Sequence, residues 1–174
     1  EGISAGVQVQ WVASRCFGCK TCLNVCPGAA LSFSEAGLTI NRDRCNDCGI
    51  CAEQCPSTAM ELLGWRWPVA QLIEALVKDR TYFEKSGGGV TLSGGDPTLQ
   101  PHFALAVLKG LKQLNIHTAL DTCGMCPGET LKMLLPYTDL VLYDLKEADP
   151  NRHRVFTGAT NAGIFNNLLE STVL

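Results

Sequence analysis

The 174-residue sequence has no excess of positive charge and no long apolar segment. Its 14 Lys and Arg are outnumbered by 17 Asp and Glu, which gives a formal net charge of −3. A protein that neutralises phosphates needs a cationic surface, so we expect no nucleic-acid partner. The longest uninterrupted apolar run is Phe103–Leu108, far short of the ~20 residues that cross a bilayer. We therefore expect no membrane partner.

Aromatic residues are also scarce, at 7%, whereas cysteine is abundant, with ten residues. Eight cysteines form two sets with the spacing C-x2-C-x2-C-x3-C, each followed by proline. The sets are Cys16, Cys19, Cys22 and Cys26, and Cys45, Cys48, Cys51 and Cys55. Members of the second set lie 29 residues after their counterparts (45 − 16 = 29). This regularity indicates an internal duplication.

The cysteine spacing is typical of units that carry two [4Fe–4S] clusters, in which the fourth cysteine of each set ligates the other cluster. The predicted ligand sets are Cys16, Cys19, Cys22 with Cys55, and Cys45, Cys48, Cys51 with Cys26. The alternatives are zinc, which usually takes two C-x2–4-C pairs, and disulfides, which have no need of the repeat. Because exposed clusters oxidise easily, we expect a reducing, anaerobic cytoplasmic location.

Beyond Met60 the cysteine pattern stops, and apolar periodicity predicts helices that alternate with strands. The predicted helices are 69–77, 101–114, 129–135 and 161–170, and the predicted strands are 90–93, 116–120 and 140–143. Such alternation is typical of parallel βα units, an α/β fold. Ligands of these sheets bind at the carboxyl ends of the strands. Those ends fall at Ser93–Asp96, Asp121–Cys123 and Asp144–Lys146.

These three strand ends leave two interpretations open. Gly94 and Gly95 form either an ordinary turn or a loop whose backbone approaches a ligand closely. Asp121 and Asp144 are either helix caps or part of a site for a zwitterionic ligand. In the second case Lys146 is suited to meet a carboxylate as a point charge.

Three strings, SGGGVTLSGGDPTLQ, IHTALDTCG and LVLYDLKEADPNRHRVFTG, follow the cysteine repeat. Together they resemble the glycyl-radical-enzyme activating enzymes of the radical S-adenosylmethionine (SAM) superfamily. The resemblance implies an incomplete TIM-like (β/α) radical-SAM barrel with an inserted α+β ferredoxin-like domain that carries two [4Fe–4S] clusters. The implied boundaries are 1–11 for a linker from a missing N-terminal strand, 12–62 for the ferredoxin-like domain and 63–174 for the partial barrel.

The resemblance also implies an activity. Such enzymes reductively cleave SAM to a 5′-deoxyadenosyl radical, using a third [4Fe–4S] cluster, and generate a glycyl radical on a large partner enzyme. The implied electron donor is a flavodoxin or ferredoxin, and the implied state is a monomer. Two alternatives remain: a ferredoxin-like electron-transfer protein, and a radical-SAM enzyme that acts on a small molecule.

The residues of the SAM site carry over from the matching motifs. The loop that holds the SAM amino group falls on Gly94, Gly95 and Asp96, where Asp replaces the family's usual Glu. The other implied cofactor-binding residues are Asp121, Asp144, Leu145 and Lys146, with Lys146 at the SAM carboxylate. In some members, residues matching Asp121, Thr122 and Asp144 surround a monovalent cation. His153 matches a family histidine, with a helix-surface histidine as the alternative.

The sequence departs from the family in the motif C-x3-C-x2-C, which it lacks. Ala29 and Thr58 stand where a third cysteine would complete it. We therefore predict no catalytic residue in this chain, and expect an internal portion of a longer enzyme that is inactive alone. Cys123 and Cys126 are either buried thiols or a redox or cluster-binding pair. With Asp96, they resemble activators of the benzylsuccinate synthase kind.

Overall fold

The computed structural model describes residues 6–171, which form two units that divide between Arg66 and Trp67. The elements of the first unit are β1 (Gln8–Trp11), α1 (Thr21–Val25), β2 (Leu31–Ser34), β3 (Gly37–Ile40), α2 (Ile50–Glu53) and β4 (Met60–Leu63). Strand β1 pairs antiparallel with β4, and β2 pairs antiparallel with β3. The unit is therefore α+β, with two two-stranded sheets among the residues described.

The two halves of the first unit follow the same backbone course, offset by 29 residues. Strand β1 begins at Gln8 and β3 at Gly37, while β2 begins at Leu31 and β4 at Met60. The left-handed residues recur at the same offset, in the pairs Gly18 and Asp47, Lys20 and Gly49, and Ala29 and Thr58. The duplication in the cysteines thus extends to the strands and to the tight turns.

Residues 8–11 belong to this first unit, although the sequence assigned residues 1–11 to a linker. Val9 is 1% exposed and packs with Leu38, Cys51 and Met60 in the core of the unit. The physical reason is the pairing of β1 with β4, which turns alternate side chains of a strand to one face. Residues 1–5 of the predicted linker lie outside the described residues.

The second unit alternates helices and strands around a parallel sheet. Its elements are α3 (Val69–Val77), α4 (Arg80–Ser86), β5 (Gly89–Leu92), α5 (Pro101–Gln113), β6 (His117–Thr122), α6 (Gly128–Leu134), β7 (Leu140–Tyr143), α7 (Pro150–Thr157) and α8 (Ala162–Ser171). The strand order is β5-β6-β7, with both pairs parallel. The strands thus end at one edge of the sheet, as the alternation predicted.

Helix α5 contributes to both apolar clusters of the second unit. Its Ala104 and Leu108 pack with Leu120 of β6, and its Val107 and Leu111 pack with Val90 of β5. These contacts bury the helical face that the periodicity predicted and hold α5 against the sheet. No helix within residues 6–171 combines the length and the apolar character that a membrane crossing requires.

Candidate functional site

The polar residues predicted at the strand ends lie together at the carboxyl edge of the parallel sheet. Ser93, just after β5, donates a hydrogen bond from Oγ to Asp121 Oδ2 in β6, at 2.8 Å. The Asp144 N–H, just after β7, donates to the Thr122 carbonyl oxygen at 2.9 Å. Adjacent parallel strands bring their ends side by side, which explains why segments far apart in sequence meet here.

The glycine pair after β5 leaves room for a ligand beside its backbone. Gly94 and Gly95 have φ angles of +85° and +62°, in the left-handed region that side chains rarely adopt. A Cβ built on Gly94 meets no heavy atom within 4 Å, so the space next to it is open. This geometry fits a loop that a ligand can approach closely.

The loop after β7 carries an exposed pair of opposite charges. Lys146 Nζ forms an ion pair with Asp144 Oδ2, and the two side chains are 58% and 47% exposed. The hydrogen bond and the charge of Asp144 raise the pKa of Lys146, with smaller contributions from Cys123 and Asp121. Leu145 between them is 44% exposed. An ammonium and a carboxylate at one accessible loop suit a zwitterionic ligand.

Asp96 has partners that the sequence did not indicate. Its Oδ1 accepts hydrogen bonds from Thr98 N at 3.0 Å and Thr98 Oγ1 at 2.7 Å. Its Oδ2 accepts from Cys123 N at 3.0 Å, and both oxygens lie within 3.0 Å of Thr122 Oγ1. Burial alone would raise the pKa of Asp96, but these donors outweigh it and lower the pKa. The carboxylate therefore ties the loop after β5 to the end of β6.

Cys123 and Cys126 are half-buried thiols in the loop after β6. Burial is the largest cause that raises the pKa of each, so both thiols stay protonated near neutral pH. Cys123 Sγ donates to Asp96 Oδ2 at 3.3 Å. Asn167 in α8 donates from Nδ2 to the carbonyl oxygens of Gly124 and Cys126, at 2.9 and 2.8 Å. The loop is thus fixed from two sides.

Tyr143 also fixes this loop, from the last position of β7. A Cβ at Gly124 would lie 1.7 Å from the Tyr143 hydroxyl oxygen, so only glycine fits there. The hydroxyl donates to the Ile164 carbonyl oxygen at 2.7 Å, and burial raises the pKa of Tyr143 to about 12. Neither Tyr143 nor Asn167 was a candidate from the sequence, because their partners lie some twenty to forty residues away.

His153 is buried, and the alternative of a helix-surface histidine is wrong. The side chain is 2% exposed, and its Nδ1 lies 2.9 Å from the Ala159 carbonyl oxygen and 3.0 Å from Thr157 Oγ1. These contacts join α7 to the turn at Gly158, whose φ is +77°. The histidine therefore stabilises the turn that follows α7.

In the first unit, a cysteine of the second set lies near cysteines of the first set. Burial is the main cause that raises the pKa of Cys22, and the thiols of Cys19 and Cys55 add to it. The Thr21 hydroxyl donates to Cys19 Sγ at 3.3 Å and lowers the pKa of Cys19. Cys55, which belongs to the second set by sequence, therefore lies near cysteines of the first set.

The second group has the complementary composition. Cys26, Cys45, Cys48 and Cys51 line one cavity. Burial first, and then the thiols of Cys26, Cys45 and Cys48, raise the pKa of Cys51 to about 11. Within residues 6–171 no three such side chains converge on a single ion. A four-iron cluster binds each thiolate through a different iron, and the four cysteines that line this cavity fit that requirement.

Two family models match this chain. The profile of the 4Fe-4S dicluster domain matches residues 15–59, and that of the radical SAM superfamily matches residues 46–170. Iron–sulfur clusters and SAM are accordingly the cofactors that these families imply.

Curated relatives match along nearly the whole chain. The trans-4-hydroxy-L-proline dehydratase activating enzyme of Clostridioides difficile is 41% identical over 92% of this chain and 54% of its own length. The choline trimethylamine-lyase activating enzyme of Oleidesulfovibrio alaskensis is 38% identical over 97% of this chain and 55% of its own length. The chain thus spans about half the length of these relatives.

A solved domain of the pyruvate-formate lyase-activating enzyme from Bacteroides vulgatus is 38% identical, with a TM-score of 0.43. It covers 47% of this chain, which covers 50% of that domain. The family assignment rests on the sequence profile, because that profile extends over residues 46–170, more than half of the chain. On this evidence the chain belongs to the radical SAM superfamily.

Proposed function

We propose that this chain is part of a glycyl-radical-enzyme activating enzyme that binds SAM at the carboxyl edge of the parallel sheet. When bound, SAM supplies the 5′-deoxyadenosyl radical that removes hydrogen from a glycine of a large partner enzyme. The observation that carries the proposal is the accessible Asp144–Lys146 pair at the same sheet edge as the open loop at Gly94. The activating enzymes among the relatives support the same class.

In this proposal each strand end has a separate task. Lys146 pairs with the SAM carboxylate, and the backbone of Gly94 and Gly95 faces the SAM amino group. Asp96 holds that backbone in place through Thr98 and Cys123, because its carboxylate is already bonded to protein donors.

A monovalent cation near the SAM carboxylate would find oxygen ligands on the adjacent strand ends. Asp121 and Asp144 offer carboxylates there, and hard cations prefer oxygen. The Thr122 hydroxyl already donates to Asp96, and the Thr122 carbonyl oxygen accepts from the Asp144 N–H. We therefore assign the cation to the two carboxylates first.

The first unit then serves as an electron relay with two [4Fe–4S] clusters. The grouping of Cys55 with Cys19 and Cys22, and of Cys26 with Cys51, supports the exchanged ligand sets. A flavodoxin or ferredoxin would supply the electrons. The third cluster, which cleaves SAM, requires the C-x3-C-x2-C motif that this sequence lacks, so its ligands come from the remainder of the enzyme.

The test uses the complete enzyme that contains this chain. Lys146→Met removes the charge that we assign to the SAM carboxylate, so the dissociation constant for SAM should rise roughly tenfold or more. Lys132→Met is the matched control, because Lys132 lies on α6 and forms ion pairs with Glu129 and Glu170. Isothermal titration calorimetry measures the affinity. An unchanged affinity in Lys146→Met contradicts the proposed SAM site.

The same preparation separates the alternatives. A glycyl radical signal in electron paramagnetic resonance (EPR), seen only when SAM and a glycyl radical enzyme are both present, supports the activating enzyme. SAM cleavage that depends on a small substrate and leaves no protein radical supports a small-molecule enzyme. Electron transfer without any SAM binding supports a ferredoxin-like carrier.

A further inference from the structure

The two cysteine groups of the first unit differ in their surroundings, although the backbone repeats. We call the group Cys16, Cys19, Cys22 and Cys55 site A, and the group Cys45, Cys48, Cys51 and Cys26 site B. Each position of one site has a counterpart 29 residues away in the other, which allows a comparison residue by residue. Because the backbone follows the same course at both sites, any difference in their electrostatics comes from the side chains at counterpart positions.

Backbone donors are balanced between the sites. The Met60 N–H donates to Cys55 Sγ at 3.4 Å in site A, and the Ala30 N–H donates to Cys26 Sγ at 3.3 Å in site B. These bonds involve the fourth cysteine of each set. They give neither site an advantage in stabilising negative charge on sulfur.

Side-chain hydroxyls are present only at site A among these counterparts. Thr21 Oγ1 donates to Cys19 Sγ at 3.3 Å, and Ser57 Oγ lies 3.6 Å from Cys55 Sγ. The counterpart of Thr21 in site B is Ile50, and that of Ser57 is Gly28. Site A thus has two hydroxyl contacts to sulfur that site B cannot make.

Site B has a carboxylate next to one of its sulfur atoms. Asp47 Oδ1 is 3.5 Å from Cys45 Sγ and is held there by the Val9 N–H at 3.0 Å. Arg42 offsets this charge only in part, since its Nη1 is 3.9 Å from Asp47 and 2.8 Å from the Val9 carbonyl oxygen. The counterpart of Asp47 in site A is Gly18. When Cys45 is a thiolate ligand, its contact with Asp47 joins two negative groups.

We propose that the [4Fe–4S] cluster of site A has a higher reduction potential than the cluster of site B, because Thr21 and Ser57 donate to site A while Asp47 opposes added negative charge at site B. Hydrogen bonds to sulfur and nearby charge are the protein's means of setting such potentials. The first electron that enters the unit therefore resides at site A, and site B stays oxidised. The inference rests on the proposed two-cluster relay but not on the activating function.

The experiment is a potentiometric titration of the complete, reconstituted enzyme with dithionite, followed by EPR. The unsubstituted protein should show two different midpoint potentials for the relay clusters. Thr21→Val removes a hydroxyl without changing the side-chain shape, and it should move the higher midpoint to a more negative value. Asp47→Asn keeps an oxygen for the Val9 N–H, and it should move the lower midpoint to a more positive value.

Matched controls come from the same unit. Thr39→Val and Asp43→Asn change exposed residues of the same unit, and they should leave both midpoints in place. If Thr21→Val does not load iron, Ser57→Ala provides the same test, with the same negative shift of the higher midpoint.

Three outcomes overturn the inference. Equal midpoint potentials in the unsubstituted protein would mean that the two sites do not differ. A Thr21→Val change that moves the lower midpoint would mean that site A has the lower potential. Midpoints that do not respond to either substitution would deny these residues their role. Substitution of Cys16 and Cys45 distinguishes this inference from the activating function. If the EPR signals of the relay clusters are then lost while SAM cleavage stays intact, the two can be tested separately.

Discussion

Asp96 holds two strand ends together with one short side chain. Its carboxylate joins the turn at Thr98, in the loop after β5, to Thr122 and Cys123 at the end of β6. The motif of the activating enzymes that this chain resembles has a glutamate at this position, and its side chain is one methylene longer. The shorter aspartate reaches the protein donors next to it, and both of its oxygens are used. Its role is therefore to position the glycine loop.

We expect Asp96→Asn to destabilise the second unit. The amide replaces one acceptor oxygen with a donor, which then faces an N–H or hydroxyl group that also donates. Loss of charge-assisted hydrogen bonds costs about 1.5–3 kcal/mol each, so the free energy of unfolding should fall by about 2 kcal/mol. Urea denaturation at pH 7, followed by circular dichroism, measures the difference.

The control for this substitution is Asp79→Asn, at the start of α4. Asp79 makes no side-chain capping hydrogen bond, so its change should leave the free energy of unfolding within about 0.5 kcal/mol of the original. Equal stability of the Asp96→Asn and Asp79→Asn variants would contradict the positioning role of Asp96.

Sequence reasoning located the residues of the sheet edge but not their partners. Gly94, Asp121 and Lys146 follow predicted strands, so the rule that ligands bind at carboxyl ends found them. Asn167 and Tyr143 support the loop after β6, but neither residue belongs to a motif. Their partners depend on how α8 lies against β6 and β7, which local sequence does not encode.

At the scale of elements, Asp139 sets the register of β7 against β6. Its Oδ2 accepts from the Thr118 N–H at 2.8 Å, and its N–H donates to the Thr118 carbonyl oxygen at 2.9 Å. Lys112 of α5 adds an ion pair at 2.5 Å. These contacts lie at the amino end of the sheet, where residues stabilise the fold rather than bind ligand.

Asp139→Asn should therefore lower stability in a pH-dependent way. Burial alone would raise the pKa of Asp139, but Lys112 and Thr118 outweigh it and lower the pKa to about 2. A depressed carboxyl pKa stabilises the fold above the ordinary value of ~3.9 and loses that effect as pH falls towards the folded value.

Allowing for solvent screening, we expect Asp139→Asn to cost about 1 kcal/mol in the free energy of unfolding at pH 7. The difference from the original protein should shrink as pH falls from 4 towards 2. Urea denaturation over this pH range, compared with Asp79→Asn, measures it. A difference that stays constant across the range would mean that the ionised carboxylate is not the cause.

The duplicated turns of the first unit carry strain at residues other than glycine. Thr58 has a φ of +54°, while its side chain is exposed and β-branched. A left-handed conformation costs such a residue roughly 1–2 kcal/mol. Thr58→Gly should therefore raise the free energy of unfolding by about 1 kcal/mol.

The matched control for Thr58→Gly is Thr39→Gly, in the middle of β3. Glycine in a strand interior loses conformational entropy and side-chain contacts, so this change should destabilise by about 1 kcal/mol. Denaturant unfolding of the reconstituted protein, followed by cluster absorbance, compares the two. Destabilisation by both glycines would show that Thr58 is not strained.

Prediction of the elements succeeded where apolar periodicity was strong. Strand β7 lies at 140–143 and α3 at 69–77, as the patterns indicated. Helix α7 was missed because its sequence, PNRHRVFT, has no apolar face. It is held instead by Asp149, whose carboxylate accepts from the N–H groups of Asn151 and Arg152. The Asp-Pro start was the available signal.

At the scale of the whole chain, two facts limit what the sheet can do by itself. Among the described residues, β5 and β7 each pair with only one strand, β6. Leu140 and Leu142 on β7 are 48% and 44% exposed. Unpaired edges with apolar side chains favour pairing with further strands. The incomplete barrel that the resemblance implies would have edges of this kind.

The final prediction concerns the iron content of this chain. The two proposed ligand sets and the lack of a C-x3-C-x2-C motif predict two four-iron clusters, so anaerobic reconstitution should give about eight irons per chain. The EPR spectrum of the reduced chain should not change when SAM is added, because the cluster that binds SAM has no ligands here.

Iron and sulfide analysis with parallel EPR measures both quantities, and Cys123→Ser is the control. Cys123 belongs to neither of the two C-x2-C-x2-C-x3-C sets, so the iron content of this variant should stay the same. About twelve irons and a signal perturbed by SAM would require a third four-iron cluster. If Cys123→Ser then reduced the iron to about eight, Cys123 would be a ligand of that cluster.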